Sequence, residues 1–243
     1  MRTLIRPKSI GLVMVVICMA CTDPVPEALD IVHRSINYHG GIEAYHNLDS
    51  LSWNKTTRLF TEDGSLESSQ VQRQSYFGGD DPRTILQWSQ DSSSHRIIVG
   101  RDATQYILGD MVFHQGEMAD RARQMARSAN YVFFQPFKLL DQGTLLHYAG
   151  RLSIGDTLEV DVVKVSYADD TADADIWHYY FSDEGRFVAN SVRHRGRISL
   201  ILNTAQRFHK PTGLLLHHKR KSFFVDSLLN IKYLRADYLY EPE

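Results

Sequence analysis

The stretch "GEMADRARQMARSANYVFFQPFKLLD", residues 116–141, decides the fold class, because it is a long helical segment inside a strand-rich chain. One apolar helix face is predicted by residues at helical spacing, Met118, Ala122, Met125 and Ala126. Pro136 predicts a second helix start, since proline is tolerated in the first turn of a helix. Around this restart lies an aromatic cluster, Tyr131, Phe133, Phe134 and Phe137. We therefore expect two short helices between two sets of strands.

Segments rich in β-branched and aromatic residues lie on both sides of this insertion. In "LSWNKTTRLF", residues 51–60, an alternating face is formed by Leu51, Trp53, Thr57 and Leu59, with Lys55 as the odd member. "EDGS", residues 62–65, predicts a tight hairpin, because Asp-Gly supplies the positive φ that such turns require. Similar segments and turn signals recur to the C-terminus, and we count about ten strands in an antiparallel meander.

The stretch "YHGGIEAYH", residues 38–46, raises the question of a metal site. On one continuous helix, His39, Glu43 and His46 would share a face and offer ligands that zinc accepts. Gly is unfavourable inside a helix but favoured just past its end. We therefore predict that a helix with the apolar stripe Ala28, Val32, Ile36 and His39 stops at Gly40. A new short turn follows, with Ile42 and Tyr45 packed inward, and no metal site is expected.

Several of these segments together resemble the LolA-like superfamily of bacterial outer-membrane lipoprotein-sorting and lipid-carrier proteins. The resemblance rests on the His-Gly-Gly helix end, the Leu51 and Trp53 strand, "FFQPFKLLD", "YYFSDEGRFV" and "TGLLLHHKRKSFF". It implies an α+β, mainly antiparallel β fold. Its sheet would curl into an unclosed β-barrel, with the N-terminal helix and the central helical insertion covering the concave face. We expect residues 27–243 to form this single half-barrel domain.

The N-terminus predicts export. Arg2, Arg6 and Lys8 precede an apolar run, residues 10–20, that is too short to remain as a membrane span. "CMAC" resembles a bacterial lipobox, so residues 1–20 are interpreted as a lipoprotein signal peptide and Cys21 as the lipid attachment site. Residues 21–26 would form a proline-stiffened tether. We expect a periplasmic protein anchored to the outer membrane; cleavage after Ala20 to give a soluble periplasmic protein is the alternative.

Charge and motifs exclude several function classes. Loss of the three cations in residues 1–20 moves the formal net charge from -2 to -5, which gives no reason to expect nucleic-acid binding. Hydrolase and phosphate-loop motifs such as G-x-S-x-G and H-E-x-x-H are absent from the sequence. The acidic run of residues 169–175 lacks the glycine and the glutamate of an EF-hand loop. We expect neither a cofactor nor catalysis.

Basic residues on two late strands are candidates for contact with lipid head groups or a membrane surface. Strand alternation places His217, Lys219 and Lys221 on one face. It likewise places Arg193, Arg195 and Arg197 on one side of their strand. A cationic patch of this kind attracts anionic lipids; a solvated outer sheet face is the plainer alternative.

The function that these observations favour is binding of an acyl chain or another hydrophobic ligand. The candidate ligand contacts are Trp53, Phe133, Phe134, Phe137, Leu140, Trp177 and Tyr179. Packing of each aromatic in the core is the alternative. A membrane-anchored protein of this kind would be a lipoprotein acceptor or a local lipid binder. Two other functions stay open: a non-catalytic module that docks another envelope protein, and a hydrolase whose site follows no motif.

Overall fold

The computed structural model describes residues 24–154, 158–168 and 174–243. The predicted signal segment and Cys21 lie outside these residues. In chain order the elements are α1 (Pro24–Tyr38), α2 (Ile42–His46), β1 (Ser50–Phe60), β2 (Leu66–Phe77), β3 (Arg83–Gln90), β4 (Ser93–Val99), β5 (Thr104–Leu108), β6 (Met111–Phe113), α3 (Glu117–Phe133), a 3-10 helix (Phe137–Leu140), β7 (Thr144–Ile154), β8 (Leu158–Tyr167), β9 (Ile176–Phe181), β10 (Phe187–His194), β11 (Arg197–His209), β12 (Leu214–Val225) and β13 (Ile231–Pro242).

All thirteen strands belong to one antiparallel sheet. Its order is β6-β5-β4-β3-β2-β1-β13-β12-β11-β10-β9-β8-β7. Every neighbouring pair except β1 and β13 is consecutive in the chain, and that pair joins the two halves of the sheet along residues 53–59 and 236–242. A sheet of this size twists and curls. Because β6 and β7 remain at its two edges, the curled sheet is an open barrel, as predicted.

The strand count is higher than predicted. Three strands were not singled out in the sequence, β6, β7 and β11. β6 has three residues, β7 is interrupted by a bulge between Tyr148 and Arg151, and β11 ends in polar residues. None of the three therefore shows a long apolar alternation, which is the pattern that identifies a strand in sequence. The predicted hairpin at residues 62–65 is confirmed between β1 and β2.

The N-terminal helix follows its predicted stripe. Ala28, Val32, Ile36 and His39 are buried, and α1 ends at Tyr38, so that only His39 separates its end from the Gly pair. At Gly40 φ is +114°, and an added Cβ would lie 2.4 Å from the carbonyl oxygen of Gly213. Only glycine fits both the backbone angle and this close approach. The helix begins at Pro24, within the segment predicted as a tether (residues 21–26), and prolines are accepted in a first helical turn.

The helical insertion differs in detail from the prediction. α3 is one helix of 17 residues, and the second helix after Pro136 is a single 3-10 turn. The buried residues of α3 are Ala119, Ala122, Ala126 and Phe133, whereas Met118 and Met125 are 36% and 44% exposed. The predicted apolar face is therefore buried at Ala122 and Ala126 but exposed at both methionines. The small alanines let α3 approach a cluster formed by Leu86, Ile97 and Tyr106 on β3, β4 and β5.

The main hydrophobic core lies on the inner face, defined here as the face of the sheet that the helices cover. It joins α1, the end of α3 and the 3-10 helix to strands from both halves of the sheet. The Trp53 ring stacks on Phe133 with centroids 3.7 Å apart. A second cluster, including Val160, Val162 and Tyr180, lies on the opposite, outer face of β8 and β9, because successive strand residues alternate sides.

Candidate ligand-binding groove

A groove of about 970 Å³ lies between α3 and the inner face of the sheet. On the helix side its walls include Gln124, Ser128, Tyr131, Val132 and Gln135. The sheet side is formed by residues of β1 and of β8 to β13, namely Lys55, Tyr167, Trp177, Asn190, Ile201, Arg220, Tyr238 and Tyr240. The volume is in the range of small-molecule sites, roughly 300–1,000 Å³.

A second space of about 680 Å³ adjoins the groove toward β2 and β3. The two spaces share Lys55, Ser128, Val132, Tyr238 and Tyr240 among their walls. The floor of the second space carries a row of alternate residues on β2, Gln70, Gln72 and Gln74. The interior is thus aromatic toward β9 and polar toward β2, which suits a ligand with both kinds of surface.

Three tyrosine hydroxyls meet at one end of the groove. The Tyr167 hydroxyl donates to the Tyr131 hydroxyl at 2.7 Å, and the Tyr179 hydroxyl donates to it at 3.4 Å. The Gln135 side-chain amide donates to the Tyr179 hydroxyl at 3.1 Å. Burial is the main cause that raises the pKa of Tyr131 and of Tyr179 above the ordinary value. These hydroxyls are therefore neutral, and they can only orient a ligand by hydrogen bonds.

Two cations face the groove floor. Arg220 is 3% exposed, and its Nη2 donates to the Asn190 Oδ1 at 2.5 Å, while its Nε has no partner in the described part of the chain. The Lys55 Nζ lies 5.2 Å and 5.8 Å from the ring centroids of Tyr238 and Tyr240, within cation-π range. Neither cation has an acidic side chain within 4.0 Å among residues 24–154, 158–168 and 174–243.

The two buried histidines are part of the core. His39 Nδ1 donates to the Ser35 carbonyl at 2.7 Å, so its Nε2 accepts from the Gln206 amide at 2.8 Å. Burial lowers the pKa of His39 to about 4, against the opposing effect of the Ser35 bond. Burial, with Arg220 and His39 nearby, holds the pKa of His217 well below its ordinary value. Both imidazoles are therefore neutral at pH 7.

The metal-site pattern does not assemble. His39 is buried, whereas Glu43 and His46 on α2 are exposed, so the three side chains do not share a face. Within the described ranges, His, Cys, Asp and Glu side chains form no group of three that could hold a metal ion. Of the acidic run, residues 169–173 lie outside the description, and Asp175 accepts from His194 at 2.6 Å.

The predicted ligand contacts lie either at the groove or in the main hydrophobic core. Trp177 lines the groove, and Tyr179 reaches it through the hydroxyl network. Leu140 is half-buried against the core. The other four are at most 2% exposed and belong to the main core, Trp53, Phe133, Phe134 and Phe137. The first three contact one another, and Phe137 stacks on Tyr45. Their contact with a ligand remains a prediction.

The predicted basic face of β12 is wrong at His217. Lys219 and Lys221 are exposed, but His217 is 1% exposed and faces the rings of Phe187 and Tyr240. The cause is a register shift opposite Ala205, which leaves His218 without a partner on β11 and breaks the strict alternation. Arg220 alternates with the exposed Lys219 and Lys221, so it is buried on the same face as Leu214 and Leu216.

The three arginines do not lie on one strand. Arg195 and Gly196 have φ of +47° and +80° and form the two-residue turn between β10 and β11. Arg193 therefore lies on β10 and Arg197 on β11, and both line an outer-face space of about 620 Å³. Their contact with lipid head groups, like that of Arg195, Lys219 and Lys221, stays a prediction.

Sequence reasoning did not identify the polar residues on the sheet side of the groove, here called its polar floor: Lys55, Asn190 and Arg220. Lys55 was visible as the odd member of an apolar face, which was the available signal for a cation directed inward. Arg220 lies in a run of basic residues and looks like its exposed neighbours. Asn190 belongs to no sequence motif or periodic pattern that would single it out. Their meeting depends on strand register between segments far apart in the chain.

Comparisons with known proteins support the fold. No protein-family model matches the chain, and no curated protein matches it. Three solved structures are similar to it over most of both chains. A DUF1329 family protein from Desulfovibrio piger is 10% identical, with 91% of this chain and 92% of that chain covered and a TM-score of 0.53. A putative outer membrane lipoprotein-sorting protein domain from Vibrio parahaemolyticus is 9% identical, with 90% and 92% covered and a TM-score of 0.56.

A LolA superfamily protein from Nitrosomonas europaea is 12% identical, with 89% and 91% covered and a TM-score of 0.53. The chain therefore has a LolA-like fold, as the sequence motifs predicted. A search for membrane-spanning helices among the described residues found none of sufficient length and apolarity.

Proposed function

We propose that this chain is a cell-envelope protein that binds an acyl chain or another hydrophobic ligand, without covalent chemistry, in the groove between α3 and the sheet. The observation that carries the proposal is the groove itself, about 970 Å³ in volume, whose walls combine aromatic rings and two aliphatic side chains with polar and charged residues. The structural similarity to a lipoprotein-sorting domain and to a LolA superfamily protein supports the same ligand class.

Burial of methylene groups supplies the affinity. Trp177, Ile201 and Val132 provide apolar contact area in the groove. Each buried methylene contributes about 0.8 kcal/mol, so eight of them contribute roughly 6 kcal/mol before the entropy lost on association is subtracted. The tyrosine hydroxyls at the end of the groove then orient the ligand rather than hold it.

A lipid anchor at Cys21 would place the domain at a membrane. We propose lipidation of Cys21 and retention in the outer membrane, facing the periplasm. α1 begins at Pro24, three residues after Cys21 in the chain, so the domain would stay close to the bilayer. A protein held in this way cannot carry cargo across the periplasm, and it would act as an acceptor or a local binder. The basic residues of the β10–β11 turn would contact anionic head groups.

Native mass spectrometry tests the proposal directly. Residues 22–243, which contain every described helix and strand, are purified from the periplasm without detergent. We expect a bound mass that matches a fatty acid, a phospholipid or a lipopeptide. A clean apo mass that does not change after lipid is added contradicts the proposal.

A groove-filling variant ties the bound mass to the groove. Ser128 is exposed on α3 and lies at both spaces of the interior, so Ser128→Trp adds a large ring at this point without altering the core. We expect at least a tenfold loss of ligand occupancy in Ser128→Trp, equivalent to about 1.4 kcal/mol. Met118→Trp, on the same helix but away from the groove, is the matched control. Equal loss in both variants would show a general effect on α3.

The protein-docking alternative rests on a separate observation. The β12–β13 turn carries Leu228, which is 80% exposed and lies beside Arg193 at an outer-face space of about 350 Å³. An exposed apolar residue beside cations suits a partner or a membrane surface. Leu228→Ser separates this alternative from ligand binding, because it should weaken docking and leave the bound mass of the groove unchanged.

The hydrolase alternative required a Ser or an Asp near a histidine in a cleft. Asp175 lies within hydrogen-bond distance of His194, but the His194 side chain is 59% exposed at a hairpin end. We therefore propose a non-catalytic role.

A further inference from the structure

We propose that the groove binds the anionic group of an amphiphile, a carboxylate or a phosphate, through Arg220 and Lys55. This inference rests on the proposed function and names its ligand class, an acyl chain that ends in one acidic group. The tail would lie against Trp177, Val132 and Ile201, and the acidic group would lie at the polar floor.

Arg220 is the first observation. A guanidinium is charged at every physiological pH, and burying it without an acidic partner is unfavourable. Arg220 is 3% exposed, borders the groove, and is held through one nitrogen by the neutral Asn190 amide oxygen. Its Nε has no partner in the described chain. A carboxylate or phosphate that entered the groove would supply the missing acceptor.

Lys55 is the second observation, and strand register brings it to the same place. β13 lies between β1 and β12, with Lys55 opposite Tyr240 on one side and Arg220 opposite Tyr238 on the other. The Lys55 ammonium leans along the floor until it is 5.2 Å from the centroid of the Tyr238 ring. Both cations thus line the groove on either side of β13 and Tyr238, although 165 residues separate them in the chain.

The other charged residues that line the groove do not neutralise the positive charge of Arg220 and Lys55. Asp141 is the acidic residue of the lining, and it is paired with Lys138 at 2.5 Å. Arg127 adds a further cation at the helix wall. A cleft with one sign of charge and low-dielectric walls concentrates ligands of the opposite sign.

A comparison of two ligands with the same chain tests the inference. Oleate and oleyl alcohol, each below its micelle concentration, are titrated into residues 22–243 by isothermal calorimetry, with inorganic phosphate as the ligand without a chain. A charge-assisted hydrogen bond contributes enough to predict that oleate binds roughly 10-fold to 100-fold tighter than oleyl alcohol. We expect Arg220→Met to remove this preference and Lys55→Met to reduce it. Arg58→Met is the matched control, because Arg58 lies on β1 but is exposed on the opposite face.

Each outcome decides between the proposals. Equal affinity of oleate and oleyl alcohol overturns the anion site and leaves the lipid-binding function intact. Absence of binding by both overturns the two together. Phosphate that binds as tightly as oleate shows a site for free anions and overturns the assignment to an amphiphile.

The thermal midpoint of Arg220→Met without ligand provides an independent readout. Removal of a buried, unpaired cation should leave the midpoint unchanged or raise it. A large fall would indicate an acidic partner and would count against the inference. If this variant does not fold, the wild-type preference and Lys55→Met still decide the question.

Discussion

Phe133 provides the sharpest test of whether the aromatic cluster is a packed core or the wall of a ligand cavity. The residue ends α3, is fully buried, and stacks on Trp53 with ring centroids 3.7 Å apart. It also contacts Phe134 edge-on at 5.2 Å and lies 5.7 Å from the Tyr240 ring. In a closely packed core, Phe133→Ala loses these contacts and leaves a void.

The expected loss of stability is large. Phe to Ala substitutions in cores lower the free energy of unfolding by about 3–5 kcal/mol, and a stacked aromatic pair adds about 0.5–1.5 kcal/mol. We therefore expect Phe133→Ala to lower the free energy of unfolding by at least about 3 kcal/mol. Met125→Ala on the same helix is the control, and it should change stability by less than about 0.5 kcal/mol, because Met125 is 44% exposed.

Urea unfolding followed by far-UV circular dichroism measures both variants, with the midpoint and the slope fitted separately. A loss below about 1.5 kcal/mol at an unchanged slope would refute the packed-core assignment, because a side chain that lines a preformed cavity has fewer contacts to lose. The aromatic cluster would then regain the ligand-binding role that its sequence suggested.

Two further predictions concern the N-terminal helix and its end. Gly40→Ala should be more destabilising than Gly41→Ala in the same urea assay. Both substitutions place a side chain at positive φ, for about 1–3 kcal/mol, but only that at Gly40 meets a backbone atom, the Gly213 oxygen at 2.4 Å. Equal losses would show that this close approach does not occur. Burial lowers the pKa of His39 to about 4, so the unfolded chain binds a proton more readily than the folded chain. The contribution of neutral His39 to the free energy of unfolding is therefore fully present above the ordinary pKa of 6.5 and decreases as the pH falls toward 4. Between about pH 7 and about pH 5 this loss should reach about 2 kcal/mol, and it should be smaller in His39→Gln; an identical pH profile for the two proteins would contradict the buried, neutral imidazole.

Local signals predicted much of the fold. The stripe of α1, its end at the Gly pair, the hairpin after β1 and the restart after Pro136 each depend on residues close together in the chain. Such features follow from helical period, backbone angles and turn chemistry. The period predicted the apolar face of α3 but not which of its residues are buried, because only the approach to β3–β5 selects the alanines over Met118 and Met125.

The candidate groove was much less predictable than the fold. Trp177, which lines the groove, was singled out in the sequence through its aromatic character and the strand face it shares with Tyr179. Arg220 was not, because it lies in a run of basic residues, and the sequence does not show which face of β12 is turned toward the groove. The turn at Arg195 and Gly196 was missed as well, because arginine is an uncommon residue at positive φ.

The sequence by itself thus determined the class of fold: a mainly antiparallel sheet, an N-terminal helix with a fixed end, and one helical insertion with an aromatic end. These features are encoded by periodicity and by glycine and proline positions within short segments. The tertiary structure alone decided that β1 pairs with β13, that four of the predicted ligand aromatics fill the core, and that Lys55 and Arg220 meet at the groove floor. The physical reason is that register between distant strands is set by packing of the whole sheet, and a shift of one residue exchanges the side chains that face the interior with those that face the solvent.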